Sequence, residues 1–477
     1  MRRKVMTAFG WSMLDGVGRQ VLSLVFFLLA ARLIPPAEVG IFLLCIVIIE
    51  LAKVLIEDTL TEPLVRRPRL TSVIVDTYFW LTAAVSGAVL LVLASSSWLL
   101  TLVPDRPQIH EVLRVLPWLC LTCFAGTLGA VPLALLRRSY RFRRVAVRGV
   151  ATQVASGVAV TAFALAGFGV WSLVAGQAAA TAVSLALAMT AVPWRPRLRF
   201  SRACLEADAA YIRNVAGMRL AQFARAHLDK LLIGVLLGPV MLAYFGVAVR
   251  IVNVFAQSLL VNINQVNLVV LSKAAGRNRS LAAEYERILK LSLLLLAPPL
   301  AGIAGVGDLF VEPLLGSAWI PSGDLLLPLA IVGMGTVVLE IGGTVLRAAG
   351  DARRSAALSV GSAAADLAII AAACSVSLHA VAVALAVKAT LQSVLVLAIV
   401  HRALWSRPAD LARALAPSLA VSLAVFAAST SVPSVGWTSL ALHLGILTVA
   451  CTAVYGAGLG VFLGSSLPGF GRPVQRR

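Results

Sequence analysis

The chain is a succession of apolar runs of membrane-spanning length, separated by little else. A helix needs about 20 apolar residues to cross the hydrocarbon core of a bilayer. Fourteen stretches meet that measure: 11–34, 38–62, 72–103, 109–136, 144–167, 169–192, 209–237, 240–271, 284–312, 322–347, 354–376, 379–401, 410–430 and 437–463. Pro35-Pro36, Pro104, Gly167 to Gly169, Gly238-Pro239, Pro313 and Pro321 punctuate many of the breaks. Hydrophobic residues make up 60% of the chain and charged ones only 13%, against about 45–50% and about 25% in soluble domains. The expected fold class is therefore an all-α polytopic membrane protein with about 14 transmembrane helices. The N-terminal "MRRKVMTAFGW" starts like a signal peptide. Asp15, Arg19 and Gln20 interrupt the apolar stretch, however, and no small-residue cleavage site follows, so it reads as the first span.

The net charge of +20 suggests nucleic acid at first sight. The placement of the charge excludes that partner. With both termini in the cytoplasm, 30 of the 41 Lys and Arg residues fall in inner segments, and Arg106 alone falls in an outer one. This is the positive-inside pattern of a multi-pass protein with an even number of spans. Anionic lipid headgroups are a second, weaker use for the same arginines. The outer loops are very short and no inner loop is long enough to fold alone. Function must then reside in the helices, which argues against an enzyme with a soluble catalytic domain. Cys120 and Cys123 form a CxxC, but no histidine lies near them in sequence to complete a ligand set. They read as small apolar residues of a helix, and neither metal nor cofactor is expected.

Two pairs of segments repeat at similar offsets. "LIPPAEVGIF" (33–42) aligns with "LLGPVMLAYF" (236–245), placing Pro36 on Pro239 and Phe42 on Phe245. "LLRRSYRFRRVA" (135–146) aligns with "VLRAAGDARRSA" (345–356), placing Arg143-Arg144 on Arg353-Arg354. The offsets of 203 and 210 residues suggest that six helices were duplicated. Six is even, so both copies insert in the same sense, as parallel repeats. The expected domains are an N-terminal lobe at 1–200 (helices 1–6), a C-terminal lobe at 201–405 (helices 7–12), and two further helices with a basic tail at 406–477.

At these residues the chain resembles the polysaccharide transporter (Wzx-like) family of the multidrug/oligosaccharidyl-lipid/polysaccharide (MOP) flippase superfamily. The carrying stretches are "AARLIPPAEVGIF", "ALLRRSYRF", "GFGVWSLVAGQ", "HLDKLLIGVLLGP", "YFGVAVRIVN" and "LRAAGD", in family order across about 350 residues. The resemblance implies two six-helix lobes around a central cavity that opens alternately to each side. It implies a flippase or exporter of polyprenyl-pyrophosphate-linked oligosaccharide, the repeat unit of an exopolysaccharide or of O-antigen-type lipopolysaccharide, in the bacterial inner membrane. The implied partners are that lipid-linked substrate, the membrane lipids, and the glycosyltransferases and polysaccharide polymerase on either side of the step.

Charges within the spans support such a path. A charge at the bilayer centre costs roughly 2.5–3.5 kcal/mol, so it persists only when paired or facing water. On helix 7, Arg219, Gln222, Arg225, Asp229 and Lys230 fit an arc of roughly 140° at 100° per residue, opposite a largely apolar face. On helix 8, Arg250, Asn253, Gln257 and Asn264 form one stripe. Asp15 and Arg19 on helix 1, and Glu50, Lys53 and Glu57 on helix 2, form two more. Reflection through Pro35-Pro36 sets Arg19 beside Lys53 in depth, with Glu50 and Glu57 one turn either side, so that Arg19 with Glu50 or Glu57 forms a gate or a structural ion-pair network. A sugar hydroxyl costs about 4–8 kcal/mol to move into hydrocarbon without a partner, so the substrate needs a polar lining. Guanidinium forks suit a pyrophosphate. Arg219, Gln222, Arg225, Lys230, Arg250, Asn253 and Gln257 are therefore the expected substrate-binding residues. Asp15, Arg19, Glu50, Lys53, Glu57 and Asp229 are the expected gate or ion-pair residues. Arg225 paired with Asp229, and Arg219 turned toward the interface, is the rival structural use. Glu340, Asp366 and Lys388 either couple transport to an ion or seal the second lobe. His227 reads as a polar lining residue.

Rival functions on the same fold are a cation-coupled small-molecule (multidrug) exporter and a lipid II flippase. The first expects acids, not arginines, to dominate the cavity. An integral-membrane glycosyltransferase or polymerase expects a sizeable outer loop, which this chain lacks.

Overall fold

The computed structural model describes residues 22–67, 69–100, 107–139, 141–254, 278–404 and 408–431. Among the described residues all regular structure is helical. Helix α1 spans Leu22–Leu33, and α2 spans Pro36–Lys53. A π-turn at Val54–Asp58 follows, and the helix continues as α3 at Thr59–Arg66. Next come α4 (Ser72–Leu100), α5 (Pro107–Thr127), α6 (Ala130–Arg138), α7 (Phe142–Leu165), α8 (Val170–Ala191) and α9 (Arg202–Leu236). Helix α10 is Pro239–Val254. Then follow α11 (Asn278–Val306), α12 (Asp308–Leu315), a 3₁₀ turn at Ser317–Trp319, α13 (Ile320–Gly323), α14 (Leu326–Ala348), α15 (Ala352–Ala373), α16 (Leu378–Leu404) and α17 (Pro408–Ser431).

Nine of the described helices are long and apolar enough to cross a membrane, and α1, α10 and the apolar part of α17 are shorter apolar helices. Helix α9 has 35 residues, which at 1.5 Å each exceeds a bilayer core. Its charges set it apart from the nine. Thirteen of the fourteen expected spans thus contain a described helix, with 11–34 described only from residue 22 and 240–271 only as far as residue 254, and the last, 437–463, lies outside the described residues. Large apolar side chains point outward, as they do in lipid. Leu91 is 70% exposed, Leu165 71% and Leu391 67%. The chain is a multi-pass membrane protein.

The chain divides into two compact units, Met1–Gly246 and Val247–Arg477, with the division inside α10. In the first unit, one core joins Ile41, Cys45, Ile49 and Ile56 of the α2 segment to Val115, Leu119, Cys120 and Cys123 of α5 and Val170 and Val174 of α8. Cys120 and Cys123 are therefore packing residues. Helix α9, expected to open the second lobe, packs here against α2 and α3. The turn before α10 sets Pro239 against Gly40 of α2 so closely that a Cβ on Gly40 would overlap the Pro239 carbonyl.

The link from α8 to α9 is fastened to the start of α4. Trp194 Nε1 donates to Asp76 Oδ1 at 2.9 Å, and the Arg197 backbone N–H reaches the same oxygen at 3.3 Å. Trp80 Nε1 donates to the Arg197 carbonyl at 2.9 Å, and Ser201 N–H to Thr77 Oγ1 at 3.0 Å. Asp76 is fully buried, so its two donors offset part of the cost of its desolvation. This clamp fixes where α9 begins.

Arginines close the helix ends on the basic side. Arg138 Nη1 donates to the carbonyls of Leu64 (3.1 Å), Val65 (3.2 Å) and Arg67, at the end of α3. Arg195 Nη1 donates to Met189 (2.8 Å), Val192 (3.1 Å) and Trp194 (3.0 Å), and Arg144 donates to Ala191, at the end of α8. The last carbonyls of a helix have no partner within it and carry the negative end of its dipole.

In the second unit α11, α14 and α16 share a core of Leu289, Leu296, Val337, Ile341, Val396 and Val400. Gly342 lets α14 approach α16: a Cβ there would overlap Val396. Small residues at such crossings are how membrane helices gain packing.

Candidate functional site

The charged stripe of α2 and the charged stripe of α9 come together in the first unit. Lys53 Nζ pairs with Glu50 Oε1 at 2.8 Å, one turn apart. Both side chains are about a third exposed, at 30% and 32%. Glu57 and Cys123 lie within electrostatic reach of Lys53. Across from them on α9, His227 stacks on Phe223 with ring centroids 4.9 Å apart. His227 and Lys230 lie on α9, which packs against α2 and against the π-turn that carries Glu57. Glu50, Lys53, Glu57, His227 and Lys230 thus form one neighbourhood of mixed charge within apolar helices. Arg225 is exposed, while Asp229 and Lys230 are half-buried.

Toward the basic end α9 is latched twice, to α3 and to the residue that follows it. Arg219 Nη2 meets Glu62 Oε2 at 3.1 Å, and Arg219 Nη1 donates to Gln222 Oε1 at 3.3 Å. Tyr211 OH donates to the other oxygen of Glu62 at 3.4 Å, and the Arg66 guanidinium lies 4.4 Å from the Tyr211 ring centroid. One step further, Arg67 Nε pairs with Asp208 Oδ2 at 2.8 Å. Tyr78 OH donates to the same oxygen at 2.5 Å, and Arg67 Nη2 donates to the Cys204 carbonyl at 3.1 Å. Burial works against the Arg67 charge, but the Asp208 hydrogen bond and charge outweigh it and hold the guanidinium above its ordinary pKa.

Glu62, Asp208, Tyr78 and Tyr211 were not singled out from the sequence. The π-turn at Val54–Asp58 explains Glu62. It fits an extra residue into one turn, so a projection at 100° per residue loses register between Glu57 and Glu62. Pro63 inside α3 marks the same irregular stretch.

In the second unit, Arg250 and Asn253 of α10 are half-buried. Lys388 Nζ pairs with Asp366 Oδ1 at 2.8 Å and donates to Ser362 Oγ at 2.7 Å. Ser362 Oγ donates in turn to Gln392 Oε1 at 3.0 Å. Of the two uses open to Asp366 and Lys388, this geometry is that of an ion pair tying α15 to α16. Glu340 is half-buried on α14. Asp15, Arg19 and Gln257 lie outside the described residues.

Long apolar helices, a π-turn between α2 and α3 and the Pro298-Pro299 pair within α11 mark a helical multi-pass membrane protein. Solved structures agree on the fold. The lipid II flippase MurJ in an inward closed conformation superposes with a TM-score of 0.73 at 10% identity, covering 95% of this chain and all of that one. An inward-facing multidrug resistance MATE family transporter of the MOP superfamily superposes with a TM-score of 0.61 at 14% identity, covering 81% and 94%. Residues 29–324 match the family model described as "Polysaccharide biosynthesis protein", and the chain belongs to that family. It is also similar to the succinoglycan biosynthesis transport protein ExoT of Rhizobium meliloti (strain 1021), 24% identical over 310 residues. That match takes in 65% of this chain and 62% of the relative's length.

Proposed function

We propose that the protein is a flippase that carries polyprenyl-pyrophosphate-linked oligosaccharide repeat units across the bacterial inner membrane by alternating access. The observation that carries this reading is the charged face that α9 packs against α2 and α3, with Arg219 paired to Glu62 and Lys53 to Glu50, in a family of polysaccharide biosynthesis proteins. The lipid tail stays in hydrocarbon. The sugars and pyrophosphate need donors and acceptors to replace water. Arg219, Gln222, Arg225 and Lys230 supply them along α9, with Arg225 and Lys230 as the cations that draw the pyrophosphate. Arg250, Asn253 and Gln257 take the same role along their own helix. Asp15, Arg19, Glu50, Lys53, Glu57 and Asp229 form the network that holds or releases the path. The lobes we propose, 1–200 and 201–405 with 406–477 appended, follow the sequence repeat. Both termini face the cytoplasm. Glycosyltransferases supply the substrate and a polymerase consumes it.

The test is a flipping assay in vesicles containing the purified protein and a fluorescent polyprenyl-pyrophosphate oligosaccharide, read by quenching of outer-leaflet label. Wild-type protein should expose label from the inner leaflet. Arg225→Gln with Lys230→Gln should reduce that rate at least tenfold, with protein level unchanged. Equal rates for the variant would refute the assignment of these cations. A second reading, flipping of lipid II, is supported by the likeness in fold to MurJ. It predicts that a peptide-bearing disaccharide on the same carrier competes better than a peptide-free oligosaccharide.

A further inference from the structure

A cavity of about 340 Å³ opens between the first turns of α7 and the last turn of α8, away from the α2–α9 seam. Arg143, Arg144 and Arg148 line it, with Val147, Leu187 and Thr190. Among its described lining residues none is acidic. Arg148 Nη1 is held by Ser184 Oγ of α8, and Arg144 by the Ala191 carbonyl. Both guanidiniums are thus positioned, and each carries five N–H donors. The positive end of the α7 dipole adds to the field. The Ala191 carbonyl, which would repel an anion, is covered by Arg144 and by Arg141 at 3.5 Å.

One face of α7 continues from this cavity as an apolar line. Val147 is 53% exposed, Val154 39%, Val158 56% and Leu165 71%. At 100° per residue these four fall within an arc of about 40°, along about 27 Å of helix. That is nearly the thickness of a hydrocarbon core. A charged pocket at the foot of a lipid-length apolar line matches an anionic headgroup with its acyl chains, not a free ion.

We infer that the Arg143–Arg144–Arg148 cavity holds the phosphate of an anionic glycerophospholipid, whose chains lie along Val147, Val154 and Val158. This is a resident lipid site, separate from the path proposed for the substrate.

The test is native mass spectrometry of the full chain released from micelles, with phosphatidylglycerol, phosphatidylcholine or inorganic phosphate added. Wild-type protein should retain phosphatidylglycerol in preference to phosphatidylcholine. Arg143→Gln with Arg148→Gln should lower that retention at least about fivefold, in line with the attraction of each basic residue to an anionic surface. Arg197→Gln with Arg199→Gln removes the same charge from the basic side outside the cavity and should leave retention unchanged. Because Arg148 also ties α7 to α8, Arg143→Gln alone, at an exposed residue, should lower retention at least about twofold. Equal retention in the Arg143 variants overturns the site, as does an equal loss in the Arg197/Arg199 control. Displacement of phosphatidylglycerol by millimolar inorganic phosphate would assign the cavity to a free anion and overturn the lipid.

Discussion

The guanidinium of Arg219 on α9 meets the carboxylate of Glu62 on α3 at 3.1 Å, across 157 residues of sequence. A cation assigned to the substrate path is thereby also a strut between two helices, and the two roles can be separated. Each side chain is 31% exposed, so Glu62→Gln or Arg219→Gln should cost only about 0.5–1 kcal/mol of stability. Exchanging the charges, Glu62→Arg with Arg219→Glu, should restore thermal stability in detergent. Flipping should stay low in the exchanged variant, because the substrate path has lost the Arg219 donors and gained a carboxylate in their place. Full recovery of flipping would reduce Arg219 to the strut.

Asp208 accepts from both Arg67 and Tyr78 with only 16% of its side chain exposed. Asp208→Asn should destabilise the protein by about 1–3 kcal/mol, the range for hydrogen bonds to charged groups. Tyr78→Phe should cost about 1 kcal/mol. The two losses should not add, because both remove bonds to the same oxygen. Thermal unfolding of the three variants checks this.

The spans were legible because a bilayer imposes a length and a polarity on every helix, and both are local properties of the chain. Pro35-Pro36 and Gly238-Pro239 stand where α1 gives way to α2 and α9 to α10, since proline and glycine act on the backbone at their own positions. The stripe of Glu50 and Lys53 was legible for the same reason, being one turn of one helix. The partners of Arg219 and Arg67 were not. Glu62 and Asp208 lie 157 and 141 residues away, and no periodicity encodes a contact between separate helices. A regular helix would set Glu62 about 120° round from Glu50, and the extra residue of the π-turn at Val54–Asp58 turns it back by about 100°, toward the stripe. Arginines of the basic segments were read by sign alone, which locates them in the membrane's frame but says nothing of the carbonyls they bind.

Lys388 is 14% exposed and Asp366 39%. Removing one charge leaves the other without its counter-ion among apolar helices, so Asp366→Asn should cost about 1–3 kcal/mol, below the figure for a fully buried pair. Asp366→Asn combined with Lys388→Met should recover much of that loss. If these residues only tie α15 to α16, flipping by the double variant should match wild type. A flipping rate that falls while stability recovers would assign the pair to ion coupling.

Gly342 and Gly361 should respond oppositely to alanine. A methyl at Gly342 would overlap Val396, whereas one at Gly361 of α15 meets nothing within 4 Å. Gly342→Ala should cost about 1–3 kcal/mol by overpacking, and Gly361→Ala should be neutral or stabilising. Detergent melting curves of the two variants make the comparison.

Membrane orientation can be read from cysteine labelling. Cys45, Cys120, Cys123 and Cys374 are buried. In a background carrying Cys204→Ser and Cys451→Ser, Ser139→Cys should react with an impermeant maleimide only in inverted vesicles. Phe168→Cys, at the opposite end of α7, should react only in intact cells. The reverse pattern would invert the proposed topology.

The arginines at the ends of α3 and α8 join two requirements that are usually treated apart. Exchanging Arg138 with its exposed neighbour Ser139 would preserve the charge bias that directs insertion, yet would take away the Nη1 that the carbonyls of Leu64, Val65 and Arg67 share. Biogenesis should therefore tolerate that exchange, whereas the mature protein should fray where α3 leaves the lipid.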